Sequence, residues 1–279
     1  MKLTKSRALL LSFFAVTFYD LFFMLCFSIF EIAGKYLQYN YESLVDSHYM
    51  LLDSLCCILI LPIYVYIYKR RVEKDYVKGK ISILKATIIS IGCGGISTIW
   101  MMILGYMAEI NPRIDDLFKD FGESWDEVLN TNYIWILLSV VILGPIIEEL
   151  IFRGILINIL KKPFGKVTAV ILQAIFFGIW HRDPVQMVYT CIFGIFLGVI
   201  YLRTNRLRYP IYMHIINNLT NSLPEGQIFE DFYSLITIIS LILVLPAVIL
   251  VIKRGKNELY IKEIEESQSI NWFKVYDNI

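Results

Sequence analysis

The sequence is poor in the residues that usually mark a soluble enzyme or a binding domain. It holds three histidines and five cysteines in 279 residues, and only 18% of its residues are charged, against about 25% in an ordinary globular chain. No cysteines stand in a C-x-x-C spacing. Cys26, Cys56, Cys57, Cys93 and Cys191 all fall in apolar stretches, so they read as small hydrophobes rather than disulfide partners or metal ligands. There is no H-E-x-x-H, no Gly-x-Ser-x-Gly and no Gly-x-Gly-Asp. Those absences exclude the usual zinc-helix and serine-elbow arrangements. No basic stripe suggests nucleic acid as a partner. Internal repeats, low-complexity tracts and a separable soluble domain are also absent, so residues 1–279 read as one integral membrane domain.

What is present is apolar length. Hydrophobic residues make up 57% of the chain, against about 45–50% in soluble domains, and the mean hydropathy is +0.61. Crossing about 30 Å of hydrocarbon takes roughly 20 apolar residues in a helix. Stretches near that length recur at about 8–33, 49–68, 83–108, 133–160, 166–181, 185–202, 209–223 and 233–252. The expectation is an all-α polytopic membrane protein of about eight transmembrane helices. The first span, longer than a signal peptide and without a small-residue cleavage site, reads as uncleaved. The loops of any length are expected at about 69–82 and 109–132.

Charge gives the orientation, because Lys and Arg stay on the cytoplasmic side. Lys2, Lys5 and Arg7 precede the first span. Further basic groups follow at Lys69 to Lys80, Lys161 to Lys166, Arg203 to Arg208 and Lys253 to Lys256. The alternate loops carry Glu42 and Asp46, then Asp115 to Glu127, then Glu225 to Asp231. Both termini are therefore expected in the cytoplasm, with 253–279 as a cytoplasmic tail. The net charge of +1 hides this sorting.

Few polar residues lie inside the spans, and each is costly there, by roughly 2.5–3.5 kcal/mol for a charge on the most lenient scale. The fourth span, "VILGPIIEELIFRG", holds Glu148, Glu149 and Arg153. His181 ends the fifth, "FFGIWHRDP". His214 and Asn218 lie in the seventh, "YPIYMHIINNLTN". Asp20 stands alone in the first, and His48 at an outer boundary has no constellation around it. Residues four apart share a helix face, so Glu149 and Arg153 are expected to pair, which is a structural salt bridge first of all. Glu148 then points elsewhere, without a partner on its own helix. Phe177 with His181, and His214 with Asn218, repeat the same spacing.

At 1.5 Å per residue, Glu148 lies about 20 Å from the inner marker Lys161, His181 about 22 Å from Lys166, and His214 and Asn218 about 9 and 15 Å from Arg208. All four are within reach of one hydrated pocket among the fourth, fifth and seventh spans, with Pro145, Pro184 and Pro210 flanking it. Two imidazoles, a carboxylate and an amide suit the activation of water: the histidines by binding Zn²⁺ or a developing oxyanion, Glu148 by taking a proton, Asn218 by donating to an oxyanion. The chemistry implied is amide hydrolysis.

These motifs, E-E-x-x-x-R at Glu148, Glu149 and Arg153, F-x-x-x-H at Phe177 and His181, and H-x-x-x-N at His214 and Asn218, resemble those of one family. It is the CAAX protease and bacteriocin-processing (CPBP, or Abi) family, with the related type II CAAX prenyl endopeptidases. The resemblance covers about 133–222, the catalytic core motifs. It implies an intramembrane metallo- or glutamate endopeptidase in which Glu148 activates water. Glu149 and Arg153 support it, and His181, His214 and Asn218 position water or metal and stabilise the oxyanion. A Zn²⁺ ion would draw on His181, His214 and Glu148. The implied partners are the lipid bilayer, a membrane-associated peptide or protein substrate and a membrane protein partner. Abundant Ile, Lys, Asn, Tyr and Phe, all with AT-rich codons, point to a low-GC bacterium and its plasma membrane. Bacteriocin maturation, self-immunity or peptide-signal processing is the matching role. Two other readings remain open: a regulator or immunity protein that acts by binding alone, and a proton-coupled transporter. Against the latter, no pair of spans looks like a repeated, broken-helix half.

Overall fold

The computed structural model describes residues 3–36, 41–71, 79–224 and 226–253, with side chains throughout except at 41–48, 71 and 227. The side chain of His48 and the tail from residue 254 onward lie outside the described set. Nine helices and no strand occur among the described residues. They are α1 (Lys5–Tyr36), α2 (Tyr41–Arg71), α3 (Ile83–Ala108), α4 (Pro112–Leu129), α5 (Tyr133–Phe164), α6 (Lys166–Trp180), α7 (Pro184–Thr204), α8 (Arg208–Asn221) and α9 (Gln227–Ile252). This is an all-α polytopic membrane protein.

Each of the eight expected apolar stretches is a helix. Six of them, α1, α2, α3, α5, α7 and α9, are long and apolar enough to cross a membrane. The fifth and seventh expected spans fall short: α6 has 15 residues and α8 has 14. At 1.5 Å per residue they reach only about 22 and 21 Å, less than the hydrocarbon thickness. The segment expected as a loop at 109–132 is the helix α4. Its signals are local. Asn111 accepts a hydrogen bond from the Arg113 amide at 3.1 Å, and Pro112 takes the first turn, where its missing N–H costs nothing. Ile114, Leu117, Phe121 and Trp125 then share one face opposite Asp116, Asp120, Glu123 and Glu127. Such a pattern belongs to a helix lying along a membrane surface rather than through it.

Connections are short and made by residues suited to them. Gly165, at φ +82°, reverses the chain between α5 and α6, a backbone region that glycine enters freely. Arg182, at φ 60°, makes the corresponding turn after α6. Asp183 then caps α7 by accepting from the Gln186 amide at 2.7 Å.

The outside of the bundle is apolar and open: Leu10, Phe14, Leu21, Ile242 and Leu245 are all more than half exposed, as lipid-facing positions must be. α5 is the centre. Every residue from Leu150 to Leu156 is buried, leaving it no lipid face over two turns. Between helices in lipid, association depends on close packing, which favours small residues at the contacts. α3 lies so near α9 that a Cβ on Gly95 would stand 2.2 Å from the Ser240 carbonyl oxygen. Gly95→Ala should therefore lower thermal stability in detergent, by about 1–3 kcal/mol as for other overpacked sites. Gly105→Ala on the same helix, where a Cβ meets nothing within 4 Å, should leave the melting temperature unchanged.

Candidate active site

The site begins with an irregularity in α5. Two stretches, Leu137–Leu143 and Leu150–Leu156, are π-helical, and the regular turn Gly144–Glu149 lies between them. The Gly144 amide reaches back five residues to the Ser139 carbonyl, and the Ile157 amide to Phe152. Wider turns of this kind are uncommon and occur often at functional sites. Side-chain amides serve the carbonyls around them. Asn218 Nδ2 donates to Val140 O at 2.8 Å, and Asn158 Nδ2 donates to Gly154 O at 2.7 Å.

Glu149 and Arg153 form the expected pair, Nη1 to Oε1 at 2.9 Å with both side chains wholly buried. The same Oε1 accepts from His214 Nδ1 at 2.8 Å. Arg153 also donates from Nη2 to the Gly194 carbonyl at 3.5 Å, and its guanidinium lies 4.4 Å from the centre of the Phe177 ring. A Cβ on Gly194 would press on Ala174 and Phe177, so the glycine lets α7 close on α6 at this level.

The bond to Glu149 fixes the His214 tautomer. Nδ1 carries the hydrogen, and Nε2 presents its lone pair to the other side. That nitrogen lies 3.7 Å from Glu148 Oε2, which is buried and has no hydrogen-bond partner. Glu148 therefore faces His214, one of the residues expected to share a pocket with it, and Glu149 holds the same imidazole by its other nitrogen. Neighbouring positions diverge by about 100°, but one imidazole spans the gap by offering a nitrogen to each carboxylate.

His181 caps the end of α6. Its Nδ1 donates to the Phe177 carbonyl at 2.7 Å, which leaves Nε2 as the free nitrogen. It stands edge-on to Phe177 at 4.7 Å between ring centres, and His214 meets the same ring at 5.9 Å. Phe177 thus sets the spacing of both imidazoles. His214 and Asn218 both face α5, His214 through Glu149 and Asn218 through Val140.

Two features escaped the sequence reading. Asp20 is not alone: its Oδ2 lies 2.8 Å from Arg182 Nη2, tying α1 to the turn just after His181. Asp53 on α2 accepts a hydrogen bond from the Ser139 hydroxyl of α5. Its signal in the sequence was the ordinary one, an ionisable residue within an apolar span. A metal finds less support. His181 and His214 each present a free Nε2, but among the described residues no three His, Cys, Asp or Glu groups converge as a ligand set. The residues present do not by themselves build the Zn²⁺ shell that the resemblance allowed, since a structural or catalytic zinc draws at least three protein ligands.

Fold and site together define a multi-pass helical membrane protein with buried, mutually oriented Glu, His, Arg and Asn side chains at its centre. Residues 130–220, which hold α5 to α8, match the family described as "Type II CAAX prenyl endopeptidase Rce1-like". A Bacillus subtilis (strain 168) protein named "Putative membrane peptidase YdiL" is 34% identical over 77 residues. That match covers 28% of this chain and 32% of the relative, so the chain spans about a third of the length of the curated relative it matches. No solved structure matches. The family resemblance read from the three motifs holds over the segment that contains them.

The buried pair gives a prediction about stability. Arg153→Ala leaves Glu149 without its cation in a fully buried position, a loss of about 3–5 kcal/mol for broken buried pairs. Thermal unfolding of the detergent-purified variant should shift well below wild type. An unchanged melting curve would show that Arg153 does not hold the fold.

Proposed function

We propose that this protein is an intramembrane endopeptidase that hydrolyses a peptide bond in a membrane-associated peptide or protein. The observation that carries the reading is the 3.7 Å separation of Glu148 Oε2 and His214 Nε2. With Glu148 ionised and His214 neutral, both atoms are acceptors, and two acceptors facing one another call for a molecule with two hydrogens between them. A substrate water fits. It donates one O–H to Glu148 and the other to His214, and Glu148 takes its proton as the oxygen attacks the peptide carbonyl.

The remaining residues have matching tasks. Glu149, neutralised by Arg153, holds the Nδ1 hydrogen of His214 and so keeps Nε2 as an acceptor. A protonated Glu148 then returns its proton to the leaving amine, which balances the step. Asn218 Nδ2 has a second hydrogen beyond the one given to Val140, and it is the neutral donor available to the oxyanion. His181 positions the substrate carbonyl or water from the other side of Phe177. No step here is routed through a metal. A bacterial plasma membrane, and a role in bacteriocin maturation, self-immunity or peptide-signal processing, suit this chemistry. The relatives' names supply only peptidase and prenyl endopeptidase.

Glu148→Gln tests the reading, because it keeps the shape and removes the proton acceptor. Cleavage of a quenched-fluorescent membrane peptide by the purified protein should fall by about 10²-fold or more, at the lower end of what general-base catalysis contributes. The melting temperature should stay within a few degrees of wild type. Turnover at the wild-type rate would remove Glu148 from the chemistry, and a biological effect that survives the substitution would point to a protein acting by binding alone. Exhaustive chelation, checked by metal analysis, should leave the wild-type rate in place. Loss that Zn²⁺ restores would instead assign His181, His214 and Glu148 to a metal.

A further inference from the structure

We propose that Asp53 is a positioning residue of this site. Its hydrogen bond with Ser139 ties α2 to the first π-helical stretch of α5 and so holds the backbone from which Glu148 projects. The proposal rests on the hydrolytic reading only for its effect on turnover.

Asp53 stands in the apolar run "YMLLDSLCC", where a carboxylate is expensive unless something uses it. Among the described residues it makes no ion pair, so neutralisation by a cation does not explain it. It serves as an acceptor. Its Oδ2 takes the Ser139 hydroxyl and lies 3.9 Å from Cys57 Sγ, which in turn lies 3.8 Å from the Tyr19 hydroxyl of α1. Three helices meet through this chain of polar atoms.

Ser139 is a sensitive place to hold. Its carbonyl receives the Gly144 amide in the five-residue bond that defines the π turn. Gly144 has no room for a side chain: a Cβ would stand 2.9 Å from Ser139 O and 3.4 Å from Glu148 Oε1. Ser139 O and the Glu148 carboxylate thus both border the space that a side chain at residue 144 would take. The next residue, Val140, is held by Asn218 of α8. Adjacent residues of one unusual turn are therefore gripped from two helices. Wider turns of this kind are uncommon, and this one is held by side chains from two other helices. Release of the grip lets α5 relax toward regular four-residue bonding, which moves every residue between Ser139 and Glu149 around the axis and swings Glu148 away from His214.

Asp53→Ala, Asp53→Asn and Ser139→Ala in the full-length protein test this. The decisive readout is hydrogen–deuterium exchange across 139–149. Asp53→Ala and Ser139→Ala should raise exchange there by about tenfold or more, because the local opening becomes easier. Asp53→Asn, which keeps an oxygen acceptor for Ser139, should stay within about twofold of wild type. On a quenched-fluorescent peptide that wild type cleaves, kcat should fall by about tenfold or more in the first two, with KM nearly constant, and recover in Asp53→Asn. If Asp53→Ala does not fold, Ser139→Ala carries the test. Unchanged exchange in the alanine variants overturns the proposal. So does Asp53→Asn behaving like Asp53→Ala, since charge rather than the hydrogen bond would then matter. A wild type that cleaves no peptide counts against the hydrolytic reading, while the exchange result still decides the clamp.

Discussion

The structure depends on one arrangement, the contact of Arg153 with Glu149 and of Glu149 with His214. All three side chains are buried, Arg153 and Glu149 completely. None would be tolerable alone at the centre of an apolar bundle, and each is placed by the others. The guanidinium neutralises the carboxylate, and the carboxylate selects the imidazole tautomer. The Phe177 ring lies against the guanidinium and the Gly194 carbonyl accepts from it. Because α5, α6, α7 and α8 each contribute a group, this one cluster sets the relative placement of four helices.

Stability alone does not account for such a cluster. Replacing a buried ion pair by well-packed apolar residues is often neutral or stabilising by about 1–4 kcal/mol. What an apolar replacement cannot supply is direction. Leucines would fill the space between α5 and α8, but they would not hold an imidazole with its lone pair aimed at Glu148. The same reasoning applies to the π-helical stretches. A regular α5 would be easier to form, but its residues would fall on different faces. The backbone irregularity is held by side chains from other helices, Asp53 and Asn218 on the first stretch. It therefore belongs to the tertiary structure and not to the local sequence.

This explains which parts the sequence disclosed. Helical class and most spans follow from apolar length, and the Glu149–Arg153 pair follows from a spacing of four, because both are properties of single helices. The extra helix at Pro112–Leu129 was equally local: Asn111, Pro112 and a repeating apolar face announced it, but its acidic residues read as loop. The contacts between helices were not readable. Asp53 and Ser139 stand 86 positions apart, and His214 and Glu149 stand 65 apart. What spacing did not show is that Glu149, expected only as the partner of Arg153, reaches the same imidazole as Glu148, since a ring with two nitrogens serves both. The shortness of α6 and α8 is the other point that apolar length blurred, because the stretches extend past the helix ends into turns.

That shortness bears on how water would reach a site built inside lipid. α6 starts at Lys166 and α8 at Arg208, both beside basic residues of the kind that stay on the cytoplasmic side. Each ends after about 21–22 Å, so His181, at the end of α6, lies at a depth where its longer neighbours are still helical. Exposed backbone at such a depth is stable only against protein or water. The turn from His181 to Asp183 meets that condition: Arg182, with a side chain 71% exposed, pairs with Asp20, and Asp183 caps α7. On the hydrolytic reading proposed above, a polar turn sunk into one side of the bundle next to His181 is where water would enter toward Glu148, without opening the lipid-facing surface. The two short helices would then do what a single broken helix does elsewhere. They bring water to a buried carboxylate while the six long helices keep the protein in the membrane.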